Sequence, residues 1–85
     1  MDYEFGMLAW SRAGHDKDKL YVIIKTEGEY VYLSDGRLKP VERPKKKKWK
    51  HIQVRKTIPE ELCSLTEETI KNEEIRKVIR RFLNV

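Results

Sequence analysis

The densest chemistry in this 85-residue chain lies between residues 43 and 50. There Arg43, Lys45, Lys46, Lys47, Lys48 and Lys50 put six cations into eight positions around Trp49. Each cation can neutralise a phosphate and an indole can stack on an unpaired base, so the stretch has the makeup of a polyanion contact. Trp49 either stacks on a base or folds into the core; its type and position allow both. Residues 37 to 58 hold ten Lys/Arg against a single Glu, while residues 1 to 36 hold four against seven acids and residues 59 to 85 five against six. The overall charge of +5 therefore understates a basic block between near-neutral or acidic flanks. Such asymmetry favours nucleic acid or an anionic surface as partner.

A second cationic group, Arg12, His15, Lys17 and Lys19, surrounds Gly14 in the stretch Ser11 to Lys19. Gly14 stands where the chain must turn sharply, and a residue without Cβ takes positive φ there at no steric cost. His15 is either a donor to a phosphate or base, or simply an exposed histidine. No set of residues points to catalysis. His15 and His51 have no nucleophile at a recognisable spacing, and Cys63 follows Glu60 and Glu61, which raise a thiol pKa rather than lower it. A metal site would need His15, His51, Cys63 and a carboxylate to converge without any motif. Neither enzyme activity, a metal nor a cofactor is expected. A lone cysteine forms no intrachain disulfide. The start, Met1-Asp2-Tyr3-Glu4, lacks the basic and apolar regions of a signal peptide. The longest strongly apolar run, Leu20 to Ile24, is far short of a membrane span. A cytoplasmic protein with no membrane partner is expected.

The elements that must position these cations read mainly as short strands. Phe5 to Arg12 predicts a first strand and Lys19 to Thr26 a second, β-branched and almost continuously apolar. Gly28 gives a tight turn into a third strand, Tyr30 to Leu33. Ser34-Asp35-Gly36-Arg37 predicts a type I′ hairpin turn leading to a short fourth strand, Leu38 to Glu42, limited by Pro40. The four adjacent lysines repel one another and have no apolar partner, so 43 to 50 is expected to begin as a solvated basic loop. Trp49 to Val54 predicts a fifth strand. Tyr21, Tyr30 and Tyr32 give at least one aromatic sheet face, expected to be core more than a stacking platform. Beyond Pro59, turns are expected near 59 to 63 or 66 to 71. Ile75, Val78, Ile79, Phe82 and Leu83 fall at helical spacing, predicting a helix over 72 to 83 with Asn72 as N-cap. Arg76, Lys77, Arg80 and Arg81 on that helix read as a wet face. The pattern predicts a small, bent, five-stranded barrel over residues 1 to 58 and a C-terminal helical extension over 59 to 85.

Gly6, the Ser11 to Lys19 loop and Tyr21-Val22-Ile23-Ile24 resemble a KOW motif. The likeness extends through Tyr30 to Arg37 and through Pro44-Lys45-Lys46-Lys47-Lys48-Trp49-Lys50-His51-Ile52. Together these residues, roughly 4 to 54, resemble bacterial KOW-domain RNA-binding proteins similar to a large-subunit ribosomal protein family of archaea and eukaryotes. The resemblance implies an SH3-like barrel and ribosomal RNA, or the ribosome, as partner, with the hairpin loop as a contact. The motif commonly has a second glycine near Asp18; here Asp16 and Asp18 lower the loop's positive potential, which implies that it binds more weakly than the lysine run.

The expected function is that of an RNA-binding module, with Arg12, Gly14, His15, Lys17, Lys19, Arg37, Lys39, Arg43, Lys45, Lys46, Lys47, Lys48, Trp49, Lys50 and His51 as contact residues. The alternative is a protein-interaction module of the transcription or translation machinery, using an acidic face (Asp16, Asp18, Glu27, Glu29) or the C-terminal helix.

Overall fold

The computed structural model describes residues 3–12 and 19–83, so Gly14, His15 and Lys17 lie outside the described residues. Five antiparallel strands form one sheet: β1 (Leu8–Ser11), β2 (Leu20–Glu27), β3 (Tyr30–Ser34), β4 (Lys45–Lys48) and β5 (Ile52–Arg55), in the order β4-β3-β2-β1-β5. Short 3-10 turns occupy Trp49–His51 and Glu60–Leu62, and the chain ends in helix α1 (Asn72–Leu83). The mainly β class, a five-stranded sheet and the C-terminal helix are as expected from sequence, although the fourth strand is not the one predicted. The sheet is not closed into a barrel, since β4 and β5 are its two edges.

The centre of the sheet is β2, and its near-continuous hydrophobicity follows from burial on both faces. Tyr21 and Ile23 join Met7, Ala9, Val31, Leu33 and Ile52 in an inner core. Val22 and Ile24 face the other way, into a second core with Leu8, Leu62, Ile70, Ile75 and Val78. The helix therefore packs on its own sheet, with its i, i+3 residues Ile75 and Val78 fully buried against β2. Pairing of β2 with β3 slips by one residue between Ile23 and Lys25, a bulge that bends the sheet around the inner core. An exposed bidentate contact ties the far end of α1 to the second 3-10 turn. In it the Arg81 Nε and Nη2 donate to the two Glu61 oxygens at 2.6 and 2.8 Å, and the arginine fork holds the Glu61 carboxyl below its usual range.

Several expectations are corrected. The first strand is shorter than Phe5 to Arg12, because Phe5-Gly6 forms a turn in which the Gly6 amide donates to the Ile23 carbonyl. The type I′ hairpin at Asp35-Gly36 and the strand at 38 to 42 do not form. Instead Ser34 and Asp35 capture the backbone that a hairpin would have paired. Asp35 Oδ1 accepts from the Arg37 and Lys39 amides, while Ser34 Oγ accepts from the Gly36 amide and donates to the Lys39 carbonyl. The connection runs to Pro44, with Leu38 left 80% exposed. The lysine run, expected as a solvated loop, is the fourth strand itself and pairs with β3 from Lys45 opposite Leu33 to Lys48 opposite Tyr30. An edge strand needs partners on one side only, and lysine stems can cover neighbouring apolar surface while the ammonium groups stay wet. The fifth strand starts at Ile52 rather than Trp49, the three residues before it forming the 3-10 turn.

Asn72 is not the N-cap of α1. The Ile75 amide donates to the Lys71 carbonyl, and Glu74 Oε1 accepts from the Lys71 amide, half of a capping box centred on Lys71. The Asn72 side chain instead reaches the loop before β4, accepting from the Val41 amide at 2.8 Å and donating to Glu42. Gly36 fits against this helix start at φ +74°, where a Cβ would meet the Asn72 carbonyl oxygen at 2.6 Å. Gly28 in the β2–β3 turn also has positive φ, with open space around it. Gly36→Ala is therefore expected to cost about 2–3 kcal/mol and Gly28→Ala about 1 kcal/mol, read as urea unfolding free energies. Equal costs for the two would contradict the packing of the Ser34–Lys39 turn on α1.

Candidate nucleic-acid interface

Strand alternation divides the four lysines between the faces of the sheet. Lys45 and Lys47 lie opposite the inner-core residues Leu33 and Val31, and Lys46 and Lys48 lie opposite Tyr32 and Tyr30. On the inner side the Lys47 ammonium donates to Ser11 Oγ at 2.6 Å, a side-chain link from the edge strand to β1. Lys45 is half-buried, and its pKa is lowered, first by loss of water and then by the neighbouring Lys47 charge.

On the outer side the register places Lys25, Tyr32 and Lys46 in one row and Glu27, Tyr30 and Lys48 in the next. The Lys46 ammonium sits 4.4 Å from the Tyr30 ring centre and 5.9 Å from that of Tyr32, and Lys25 stands 5.4 Å from Tyr32. These are cation–π distances, and they fix ammonium groups beside two half-buried aromatic rings. The Tyr32 hydroxyl donates to Glu27 at 3.1 Å. Of the three tyrosines, Tyr21 is fully buried, Tyr32 is half-buried against the second core, and Tyr30 and Tyr32 carry the cationic-aromatic face. Lys25 was not singled out from sequence. The signal that could have found it is the period-two pattern Lys25-Thr26-Glu27 against Tyr30-Val31-Tyr32 across the Gly28 turn.

The other candidate residues fall into two further groups. The Arg12 amide donates to the His51 carbonyl at 3.0 Å, which joins exposed Arg12 to exposed Lys50 and His51 beyond the end of β4. Trp49 belongs to the core alternative: it packs on the inner core with ring centroids 5.7 Å from Tyr3. Its amide donates to the Glu29 carbonyl and ends the β3–β4 ladder. Arg37, Lys39 and Arg43 are exposed on the loop before β4, and Lys19 is exposed immediately before β2. The β4 lysines thus link one basic group at the strand's start to another at its end. No helix is long and apolar enough to cross a membrane among the described residues.

For Lys45 the sign of the pH effect is set by its depressed folded-state pKa: keeping it charged opposes folding at neutral pH, and that penalty is relieved as pH rises through the folded value. In a carbon-detected titration of the lysine Cε resonances, Lys45 is expected to lose its proton below the ordinary lysine range. A midpoint at the ordinary value would remove burial as a feature of this side chain.

No protein-family model matches the chain, and no curated protein matches it.

Proposed function

We propose that the chain is a non-enzymatic RNA-binding module whose principal contact is the edge strand β4. The observation that carries this is four consecutive lysines held in strand geometry, with Lys46 fixed beside Tyr30 and Tyr32. Same-face residues of a strand stand about 6.5–7 Å apart, comparable to the separation of successive phosphates along an extended nucleic-acid strand. Lysine on an edge also discourages sheet-to-sheet pairing. Here Arg43 and Lys50 flank the run, and Arg12 and His51 adjoin its end. The two tyrosines add faces on which unpaired bases can stack. The resemblance to KOW-domain proteins supports RNA over DNA, large-subunit ribosomal RNA as the target, a cytoplasmic location, and a further contact by Gly14, His15 and Lys17.

Anisotropy titrations with a structured ribosomal RNA fragment over a range of potassium chloride concentrations test this. If about five phosphates are neutralised, log K falls against log salt with a slope of about −3.5 to −4.5. Replacing Lys46 and Lys48 by Gln is expected to make that slope shallower by about 1.5 to 2, with the fold intact by circular dichroism. A salt-independent affinity, or an unchanged slope in the double variant, would overturn the proposal.

A further inference from the structure

The cations of α1 are not equivalent. Lys77 pairs with Glu73 at 3.2 Å, and Arg81 pairs with Glu61 and lies on the Phe82 ring. Arg76 and Arg80 take part in neither of these ion pairs, and they sit at i, i+4, where like charges oppose helix formation. Both line a cavity of about 130 Å³ between α1 and the Ser34–Lys39 turn, together with Arg37, Asp35, Ile79 and Leu83. The volume is too small for a drug-sized ligand and suits a single tetrahedral anion.

The turn that supplies Arg37 is rigidly set. Asp35 Oδ1 is turned to the Arg37 and Lys39 amides rather than to a guanidinium. Arg76 Nη1 donates to the Gly36 carbonyl at 2.7 Å, which anchors the turn to the helix and leaves the rest of the guanidinium fork for another acceptor. Gly36 packs directly on the Asn72 carbonyl and on Arg76, so the turn and the helix hold a fixed relation.

We propose that this cavity is a phosphate-binding site in which Arg37, Arg76 and Arg80 surround the anion. Three arginines line it from two elements that the Arg76–Gly36 hydrogen bond joins across 40 residues. A bound phosphate relieves the Arg76–Arg80 repulsion and takes charge-assisted, fork-like hydrogen bonds from planar donors. Ile79 and Leu83 complete the lining as its apolar wall. The site is formed by the turn and the helix, not by β4, and stands whether or not the lysine strand binds RNA.

The test uses the full chain, ¹⁵N-labelled, titrated with inorganic phosphate against chloride at constant ionic strength. Saturable shifts are expected at the Gly36, Arg37, Ile79 and Arg80 amides, with half-saturation at about 1 mM or below. Arg37→Gln and Arg80→Gln are each expected to raise the half-saturation about tenfold. Both residues are exposed, whereas Arg76 holds the turn and is left intact. Shifts that do not saturate, or that are unchanged in both variants, would overturn the site. A variant with Lys45 to Lys48 replaced by Gln must keep the phosphate shifts even where it loses RNA, which separates this site from the lysine strand. Oligonucleotides with a 5′-phosphate or a 5′-hydroxyl then identify the source. Shifts with the former alone assign a terminal phosphate, shifts with both a backbone phosphate, and shifts with inorganic phosphate alone free inorganic phosphate.

Discussion

Burial of β2 on both faces is the constraint from which the rest of the structure follows. Tyr21, Val22, Ile23 and Ile24 are all at most 5% exposed, and four adjacent apolar residues in a strand cannot be covered from one side. Each such side chain gains about 1.5–3 kcal/mol on leaving water, so both faces must be roofed. Bending of the sheet roofs one, bringing Met7, Val31, Leu33 and Ile52 around Tyr21 and Ile23. Helix α1 and the Leu62 and Ile70 segments roof the other. A helix that would be marginal alone at 12 residues is held by that surface.

Once β2 is central, polar and charged strands are forced outward. β4 is an edge because nothing in Lys45–Lys48 could be buried on two faces. It still joins the sheet, because its backbone completes the outer ladder of β3 and its stems lie over apolar and aromatic neighbours. The same event explains why the sheet stays open. The inner-face lysines keep charge beside the unpaired edge of β4, and Lys47 satisfies its own by a side-chain hydrogen bond to Ser11 on β1. Basic groups thereby come to the rim of the sheet as a consequence of where the apolar residues must go.

The loop from Asp35 to Pro44 illustrates the competition that decides such a fold. Asp-Gly is a strong local hairpin signal, but Ser34 and Asp35 satisfy the same backbone amides with their side chains, and Asn72, 31 residues away, takes the Val41 amide. Side-chain acceptors within the turn, joined by the distant Asn72, outcompete the hairpin preference, and the chain delays its return until residue 45. That delay places Gly36 and Arg37 on α1 and assembles the arginine cavity.

What the sequence determined by itself is what local periodicity can carry. The helix over 72 to 83 is as expected from its i, i+3, i+4 apolar spacing, and the second and third strands and their Gly28 turn lie within a residue of expectation, because β-branched runs and positive-φ glycines act over a few residues. The basic block is likewise a property of composition. Tertiary structure alone decided that the lysines form a strand, since lysine has little strand preference and only the unpaired edge of β3 recruits it. It also decided that Trp49 is core, that Asn72 serves a distant loop instead of its own helix, and that Arg37 meets Arg76 and Arg80. Each of these depends on a partner tens of residues away, and a pattern read along the chain holds no record of which distant donor, ring or edge will arrive beside it.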